Sequence, residues 1–365
     1  MAPHRAPGIK GSDPRESRAS KRAPRPTVKL RWPVSALGAS MSEPSARPPV
    51  APSSGGSLGS RGPHRYSRPS LSQMGLSPGK RTRLRRLLYD HGPGGGTLLV
   101  LPIDQGLEHG PVDFFSNPDS LDPRYQYDLA REGRFSAIAL HIGLAEKYFH
   151  EYAGEVPLIL KLNGKTGIPS DAQAFSPLTG SVEDAVRLGA DAVGYTVYVG
   201  SPAQDRDFDQ FRRVREEAAR LGMPVVVWAY PRGEAVAKRG GRDSLYAIDY
   251  AARVALELGA DIVKVNYPVP SEKDAESPPP YNSLHLAAAE AFRKVVESAG
   301  RCLVLVSGGE KVGDAELFAK VRASMDDGAT GIIFGRNMWQ RPKAEALRIT
   351  RDLHALFREY AQPPG

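Results

Sequence analysis

The sequence predicts an α/β protein in which a (β/α)8 barrel of the TIM class follows a disordered, basic N-terminal extension. Two observations lead to this prediction. Eight short, β-branched and apolar segments alternate with amphipathic segments from about residue 90 onwards, and the residues before them lack apolar periodicity. Strands that alternate with helices form βαβ units around a parallel sheet, and eight such units are the content of a barrel. A doubly wound open sheet is the alternative, although most open sheets need fewer units.

The extension is predicted over residues 1–85. Residues 1–80 hold 13 of the 32 prolines, and residues 1–88 hold 18 Lys and Arg against 3 Asp and Glu. The rest of the chain holds 31 basic and 38 acidic side chains, so the net charge of +8 originates in the extension. A segment with so few apolar residues cannot bury enough surface to offset its chain entropy, and we therefore expect disorder.

Three interpretations of this extension remain open. Met41 and Met74 are alternative translation starts, so the extension could be an over-extended start of the chain. It could also be a solvated tail without a specific role. An Arg- and Ser-rich, acid-poor leader also resembles an organelle transit peptide or a nucleic-acid-binding arm. Because aromatic residues do not interleave the basic ones, no nucleic-acid partner is expected.

The barrel is predicted over residues 86–362. Its strands are predicted at Thr97–Ile103, Ser136–His141, Pro157–Leu162, Ala192–Val197, Pro224–Tyr230, Asp261–Val265, Cys302–Ser307 and Gly331–Gly335. Helices are predicted at Val182–Leu188, Phe208–Leu221, Leu245–Leu258, Leu284–Ser298 and Asp314–Met325. A short repeat supports the βαβ units: Leu-Gly-Ala-Asp ends at Asp191 and again at Asp261, and Asp327-Gly-Ala-Thr is a looser copy. In each copy a glycine ends a helix shortly before a strand.

Composition excludes several classes of protein. The single thiol, Cys302, rules out a disulfide framework and a cysteine-based zinc module. No apolar run approaches the ~18–20 residues of a membrane span, and the N-terminus has no apolar signal region. We therefore expect a soluble, cytoplasmic protein without a membrane partner.

Two strands carry a lysine where a barrel is normally apolar. Lys264 shares a face of its strand with Ile262 and Asn266, and Lys161 is placed in the same way on an earlier strand. Burying an ammonium is costly, so such a lysine either forms an ion pair or has a lowered pKa and acts as a nucleophile. For Lys264 both interpretations stay open, and Asp104, at the end of the first strand, is the expected ion-pair partner.

Further polar groups are expected at the carboxyl ends of the strands, where barrels of this class carry out their chemistry. Trp228 and Tyr230 lie on one face of the fifth strand. The last two strands lead into glycine loops, and barrels often bind a phosphate between these loops through backbone N–H groups. The alternative is that the glycines only form tight turns. The residues of these loops are Ser307, Gly308, Gly309, Gly335 and Arg336.

Five motifs in order resemble the archaeal-type class I fructose-bisphosphate aldolases, a family found in archaea and bacteria. The resemblance covers about residues 90–360. The motifs are Leu101-Pro-Ile-Asp-Gln-Gly-Leu-Glu-His-Gly110, Val227-Trp-Ala-Tyr-Pro-Arg-Gly233, Asp261-Ile-Val-Lys264, Ser307-Gly-Gly309 and Gly335-Arg336.

The resemblance implies roles for these residues. Lys264 would form a Schiff base with the substrate ketone, Tyr230 would be the general acid or base, and Asp104 would assist proton transfer and orient the lysine. Trp228 would shape the sugar site, and the two glycine loops with Arg336 would bind a phosphate. Lys161 is expected among the substrate-binding residues, and we add the hypothesis that it supplies the positive charge that allows Tyr230 to act as a base.

The function implied is a lyase of glycolysis and gluconeogenesis that cleaves fructose 1,6-bisphosphate, a small phosphorylated sugar. The resemblance also implies a homo-oligomer, such as the decamers that relatives form. No cofactor or metal is expected. His109 and His141 are the two histidines placed near the mouth, too few for a zinc site with Cys302 at the far end.

Three rival interpretations remain open. Related Schiff-base aldolase/transaldolase-type synthases of an amino-dideoxy-heptulosonate, or a thiolase, use the same lysine on other phosphorylated substrates. From another class, the chain could be a non-catalytic sugar-phosphate sensor.

The segment Val269–Tyr281 is expected to be a surface loop, with a lid as the alternative.

Overall fold

The computed structural model describes residues 68–364 and has a closed barrel of eight parallel strands. Each strand pairs with its neighbours in chain order, and β1 pairs with both β2 and β8. The strands are β1 Leu98–Pro102, β2 Ala137–His141, β3 Leu158–Lys161, β4 Ala192–Val199, β5 Val225–Pro231, β6 Ile262–Val265, β7 Leu303–Ser307 and β8 Gly331–Ile333. The predicted barrel is confirmed, and every predicted strand end lies within two residues of the observed one.

Most helices lie between successive strands in the chain, and the first one precedes β1 while the last two follow β8. They are α1 Pro78–Arg85, α2 Gln105–Glu108, α3 Pro123–Glu132, α4 Ile142–Tyr148, α5 Val182–Arg187, α6 Gln204–Arg220, α7 Glu234–Ala237, α8 Leu245–Leu258, α9 Ala288–Ala299, α10 Asp314–Asp326, α11 Arg336–Trp339 and α12 Lys343–Arg358. Short 3₁₀ or π turns lie at Arg86–Asp90, Pro111–Phe114, Pro118–Leu121, Phe149–Glu151, Asp171–Gln173, Glu272–Glu276 and Tyr281–Ser283. Among the described residues no helix is both long and apolar enough to cross a membrane.

Helix α8 shows why the sequence folds into these units. Its first turn is capped by Ser244, whose Oγ accepts a hydrogen bond from the backbone N–H of Ala247 at 3.2 Å. It ends at Gly259, which has a φ of 99° in the left-handed region that glycine adopts without strain. Both ends agree with the prediction from the sequence. The chain then enters β6, and this places Lys264 at the far end of that strand.

The interior of the barrel is filled by apolar side chains that alternate with outward-facing ones along each strand. The inward set from the strands is Leu98, Val100, Ala137, Ala139, Ile159, Ala192, Val226, Trp228, Ile262, Leu303, Leu305 and Ile333. The outward side chains pack against the helices in a second, larger cluster. Lys161 and Lys264 occupy inward positions of β3 and β6, two residues beyond Ile159 and Ile262.

The N-terminal end of the barrel is closed by the segment just before β1. Leu71, Leu84, Leu87 and Leu88 are buried in the same cluster as the inward strand residues. The segment is also held by ion pairs to carboxylates that precede strands: Lys80 Nζ lies 2.7 Å from an oxygen of Asp261. Arg86 makes the equivalent contact with Asp191 at 2.7 Å.

This segment corrects part of the sequence prediction. Residues 68–85 were expected in the disordered extension, and the structure instead has the helix α1 there, with Ser77 accepting from the Lys80 N–H as its N-cap. The physical reason is burial: Leu84 is fully covered by the barrel interior, and burying one such side chain contributes roughly 1.5–3 kcal/mol. The remainder of the predicted extension, residues 1–67, lies outside the described residues, and so do its three interpretations.

Candidate active site

Lys264 lies at the carboxyl end of β6, and its side chain points into the barrel mouth. The residue is 7% exposed, and its Nζ donates a hydrogen bond to Oη of Tyr230 on the adjacent strand β5. Trp228 is the register partner of Lys264 across the β5–β6 pair. The sequence therefore placed Lys264, Tyr230 and Trp228 correctly on neighbouring inward positions.

The environment of Lys264 raises the neutral fraction of its amine above that of an ordinary lysine. Burial lowers the pKa of Lys264 to about 8, and the positive charge of Lys161 acts in the same direction, whereas Asp104 and Glu108 oppose it. No carboxylate within residues 68–364 comes close enough to Lys264 to form an ion pair. The ion-pair interpretation of Lys264 with Asp104 as partner is therefore wrong. A lysine with a lowered pKa and no carboxylate partner has the properties of an amine nucleophile.

Asp104 is paired with the other inward lysine. Nζ of Lys161 donates to Asp104 Oδ2 at 2.7 Å and also to Glu108 Oε1. Lys161 is fully buried and Asp104 is 3% exposed. Burial on its own would raise the pKa of Asp104, but the charges of Lys161 and Lys264 outweigh it and hold that pKa well below its usual range. Asp104 is therefore an anion beside Lys264.

Glu108 is a site residue that the sequence analysis did not single out. It lies on α2, four residues after Asp104, within the Asp-Gln-Gly-Leu-Glu-His-Gly motif. Burial and the charge of Asp104 raise the pKa of Glu108, while Lys161 lowers it, and the net direction is upward. The spacing within the motif could have revealed Glu108, because residues four apart on a helix, such as Asp104 and Glu108, lie on the same side.

Trp228 lies beneath the cavity rather than on its surface. It is fully buried in the barrel interior. Its ring is flanked by two ammonium groups, with Lys161 Nζ 5.0 Å and Lys264 Nζ 5.5 Å from the ring centroid. Contacts of this length with the face of an indole are attractive to a cation. Trp228 therefore contacts both lysines from inside the barrel.

The hydroxyl of Tyr230 is a weaker acid than that of an ordinary tyrosine. Burial raises the pKa of Tyr230, and the negative charges of Glu108 and Asp104 raise it further. Lys161 and Arg232 lower it, but by less. The charge of Lys161 therefore acts in the direction that the hypothesis for Tyr230 requires, but Lys161 is itself paired with two carboxylates, and its role towards Tyr230 stays a prediction.

The loops that follow β7 and β8 both reach the cavity. Ser307 Oγ donates to Oδ1 of Asn266, which follows β6 and which the sequence analysis placed on the inward face of its strand without giving it a role. Gly308 has no room for a side chain, since a Cβ there would lie 2.7 Å from the Phe334 ring. The cavity-lining residues from these two loops include all five that were predicted: Ser307, Gly308, Gly309, Gly335 and Arg336.

A second group of basic side chains lines the cavity and was missed in the sequence. Asp171 holds two of them: Lys165 Nζ lies 2.8 Å from one of its oxygens, and Arg232 Nε lies 2.9 Å from the other. Lys165 follows β3, which is opposite β7 in a closed barrel of eight consecutive strands. Basic groups therefore lie at two separate places on the cavity wall.

The two histidines near the mouth differ in their surroundings. His109 Nδ1 is hydrogen-bonded to Asp113 at 2.7 Å. Burial lowers the pKa of His141 to about 4, with Lys161 adding to the effect, so that imidazole is neutral near pH 7. In the part of the chain that the structure covers, no three His, Cys, Asp or Glu side chains are grouped so that they could hold a metal ion.

These residues surround a cavity of about 620 Å³ at the carboxyl ends of the strands. Lys264, Tyr230 and Asp104 form one part of its wall, together with Glu108 and Asn266. The cavity is within the usual range for small-molecule sites, and its wall is rich in charged groups. The arrangement can form an imine with a ketone, transfer protons next to it and bind anionic groups.

Comparison with known proteins agrees with this chemistry. Residues 98–341 match the family model of the DeoC/LacD family aldolases. A class 1 fructose-bisphosphate aldolase of Thermoproteus tenax is 42% identical over 262 residues, which are 72% of this chain and 89% of that protein. The enzyme of the same name from Halobacterium salinarum is 39% identical over 246 residues, which are 67% of this chain and 85% of that protein.

A solved structure of a Schiff base-forming fructose-1,6-bisphosphate aldolase is also similar. It superposes with a TM-score of 0.65 at 38% identity, over 76% of this chain and 99% of that one. The family model covers the barrel from β1 to the residues after β8. The chain belongs to the DeoC/LacD family of aldolases and, within it, resembles the class 1 fructose-bisphosphate aldolases.

Proposed function

We propose that this chain is a class I fructose-bisphosphate aldolase, a lyase that reversibly cleaves fructose 1,6-bisphosphate into dihydroxyacetone phosphate and glyceraldehyde 3-phosphate. The observation that carries the proposal is the buried amine of Lys264, hydrogen-bonded to Tyr230 and free of a carboxylate partner among residues 68–364. An ordinary lysine is less than ~0.1% neutral at pH 7, whereas a pKa of about 8 leaves roughly one amine in ten neutral. Only the neutral amine attacks a carbonyl.

The first half of the reaction forms the imine. Neutral Lys264 attacks C2 of the open-chain sugar, and a proton moves from nitrogen to oxygen to give a carbinolamine. Tyr230 then donates its hydroxyl proton to the carbinolamine oxygen, which leaves as water. The products of this step are a cationic iminium on Lys264 and a tyrosinate at Tyr230. A tyrosine whose pKa is raised by burial gives a strongly basic tyrosinate.

The second half breaks the carbon–carbon bond. The tyrosinate takes the proton of the C4 hydroxyl, the C3–C4 bond breaks, and its electron pair moves to the iminium to form an enamine. Glyceraldehyde 3-phosphate leaves, Tyr230 returns its proton to C3, and water releases dihydroxyacetone phosphate. Proton transfer by a positioned group of this kind contributes ~10²–10⁴ in rate. The Asp104 carboxylate lies beside Lys264 and stabilises the cationic iminium.

Two anion-binding places on the wall support a bisphosphate substrate. The loops with Ser307 to Gly309 and with Gly335 and Arg336 would bind one phosphate through backbone N–H groups and a guanidinium. Lys165 and Arg232 would bind the other, because Asp171 neutralises one of these two charges and leaves the second. Lys165 follows β3 and Gly308 follows β7, on opposite sides of the closed barrel, so the two places would hold the two ends of one sugar.

The proposal extends to the setting of the enzyme. We infer a role in glycolysis and gluconeogenesis in the cytoplasm, and a symmetric homo-oligomer, for which a decamer is one form. The symmetry is inferred because most soluble homo-oligomers have closed symmetry. Analytical ultracentrifugation at micromolar concentration tests it, and a single monomeric species would contradict it.

A cleavage assay tests the proposed reaction. Fructose 1,6-bisphosphate and fructose 1-phosphate are supplied separately, with and without EDTA, and the triose products are identified. We expect cleavage of the bisphosphate in both conditions, at a kcat/KM at least tenfold above that of the monophosphate. No triose phosphate, or a preference for the monophosphate, would contradict the proposal and favour another ketose phosphate of the same chemistry.

A further inference from the structure

The carbonyl of Gly308, in the loop after β7, accepts two hydrogen bonds from behind the loop. Lys320 Nζ, on α10, donates to it at 3.2 Å. Asn337 Nδ2, on α11, donates to it at 3.3 Å. Two donors on different helices therefore fix the orientation of one peptide unit of a loop that lines the cavity.

The orientation of this peptide determines where the next N–H points. In a planar trans peptide the carbonyl and the following N–H point in opposite directions. Because the Gly308 carbonyl is held against Lys320 and Asn337, the N–H of Gly309 points to the other side. Within residues 68–364 this N–H makes no backbone–backbone hydrogen bond. Gly309 has a φ of 69°, a conformation that glycine reaches at little cost.

Asn337 is a rigid part of this support. It is fully buried, donates to the Glu310 carbonyl at 2.8 Å and accepts from the Val312 N–H at 2.9 Å. Its side chain thus joins the loop at three places. A buried amide with all these bonds made is worth more than a single hydrogen bond, because removing it leaves several groups unpaired.

Lys320 adds a positive charge at the same point. Its Nζ lies 3.8 Å from the position that a Cβ on Gly309 would occupy. The side chain is half-buried, and within the described chain no carboxylate lies at ion-pair distance from it. Burial lowers the pKa of Lys320, and Glu316, one helical turn earlier, raises it by less. An ammonium in such a place is stabilised by an anion on the other side of the loop.

We propose that Lys320, together with Asn337, is a positioning residue for the anion-binding loop Ser307–Gly309. Lys320 holds the Gly308 carbonyl away from the cavity, so that the Gly309 N–H meets the phosphate next to the substrate ketone, and its charge acts on that phosphate through the loop. The inference rests on the proposed function, since it assigns the loop to the phosphate of a ketose or triose phosphate.

Two ketones that differ only in the phosphate test this role. Dihydroxyacetone phosphate and dihydroxyacetone are each trapped on the protein with borohydride, and the half-saturating concentration is measured for the unsubstituted chain and for Lys320→Met. We expect about a tenfold higher value for dihydroxyacetone phosphate and an unchanged value for dihydroxyacetone. Lys320→Arg should restore most of the loss, and Lys147→Met, an exposed lysine on α4, should change neither value.

Two results would overturn the role of Lys320: an unchanged value for dihydroxyacetone phosphate, or equal weakening for both ketones, which indicates general distortion. If Lys320→Met does not fold, Lys320→Gln replaces it. The absence of any adduct in the unsubstituted chain would contradict the proposed function instead. In that case the role of Lys320 is tested by calorimetry with inorganic phosphate. We expect Lys320→Met to bind phosphate about tenfold more weakly than the unsubstituted chain, and equal binding would overturn the inference.

Discussion

The side chains of Lys264 and Tyr230 are hydrogen-bonded to each other at the mouth of the barrel, from neighbouring strands. Burial moves their pKa values in opposite directions, downward for Lys264 and upward for Tyr230. A lysine close to its neutral form therefore contacts a tyrosine that keeps its proton. In the proposed mechanism this pair would supply a nucleophile and a proton donor to the same carbonyl.

Replacing Tyr230 by phenylalanine should leave Lys264 in place and remove the proton donor. We expect kcat for cleavage of fructose 1,6-bisphosphate to fall by about 10²–10⁴. Tyr198 is the matched control, since it is the register partner of Tyr230 on β4, lines the same cavity and is bonded to Ser176 rather than to Lys264. Tyr198→Phe should cost less than tenfold. A loss below tenfold for Tyr230→Phe would remove its role.

The dependence of imine formation on pH should follow the pKa of Lys264, about 8. Below this value the rate of borohydride trapping should rise about tenfold per pH unit, and above it the rate should level off. The sign for stability follows from the same shift. Between about pH 8 and 10.5 the unfolded chain binds more protons at this residue than the folded chain, so Lys264 makes folding more favourable as pH rises through that window. A trapping midpoint near pH 10 would contradict the lowered pKa.

Lys161→Met should remove the charge that compensates Asp104 and Glu108. Leaving two buried carboxylates without their partner should lower the free energy of unfolding by about 3–5 kcal/mol. Loss of this positive neighbour should also raise the pKa of Lys264 and move the trapping midpoint to higher pH. Denaturant unfolding and the trapping profile measure the two effects.

Lys165→Met is the control for that experiment, since Lys165 pairs with the half-exposed Asp171 at the cavity wall. It should change unfolding by less than about 1 kcal/mol. The double variant Lys161→Met with Glu108→Gln should recover part of the stability. An unaltered trapping profile in Lys161→Met would show that its charge does not act on Lys264.

The segment before β1 that closes the N-terminal end of the barrel should contribute strongly to stability. Leu84→Ala should lower the free energy of unfolding by about 2–5 kcal/mol, because Leu84 is fully buried inside the barrel. Leu121→Ala, at a residue that is 66% exposed, should change it by less than about 0.5 kcal/mol. Equal effects in denaturant unfolding would show that α1 does not close the barrel.

Packing of this N-terminal segment also predicts which shortened chains are more stable to heat. A chain beginning at Met74 lacks buried Leu71 and also Arg68, whose guanidinium donates to the Tyr360 carbonyl. A chain beginning at Arg68 keeps both. We expect the first to melt at a lower temperature than the second in calorimetry. Equal melting temperatures would contradict a structural role for residues 68–73.

The strands could be predicted from the sequence because both faces of a parallel barrel strand are covered, which leaves short continuous apolar runs. The lysines of β3 and β6 stood out against these runs. Helix α1 could not be recognised in the same way. Its surface carries Lys80, Arg83 and Arg85, and only the finished barrel provides the interior that Leu84 fills.

The candidate site was predictable at residues such as Lys264, which is both a lysine within an apolar strand and part of a recognisable motif. The partners of these residues were not. Lys161 could have paired with any nearby carboxylate, and the closed barrel decides that it contacts both Asp104 and Glu108. The pairing of Arg232 with Asp171 likewise joins loops 61 residues apart in the chain. Such contacts depend on which strands and loops become neighbours in the fold, and the residue pattern of one strand does not show this.

Reductive trapping on the unsubstituted chain tests the central claim most directly. The protein is treated with dihydroxyacetone phosphate and sodium borohydride, with and without EDTA, and the intact mass and the modified peptide are determined. We predict one stable adduct per chain on Lys264, unaffected by EDTA and absent from Lys264→Met. An adduct on Lys161, or no adduct on a folded protein that binds the ketone, would contradict Schiff-base catalysis by Lys264.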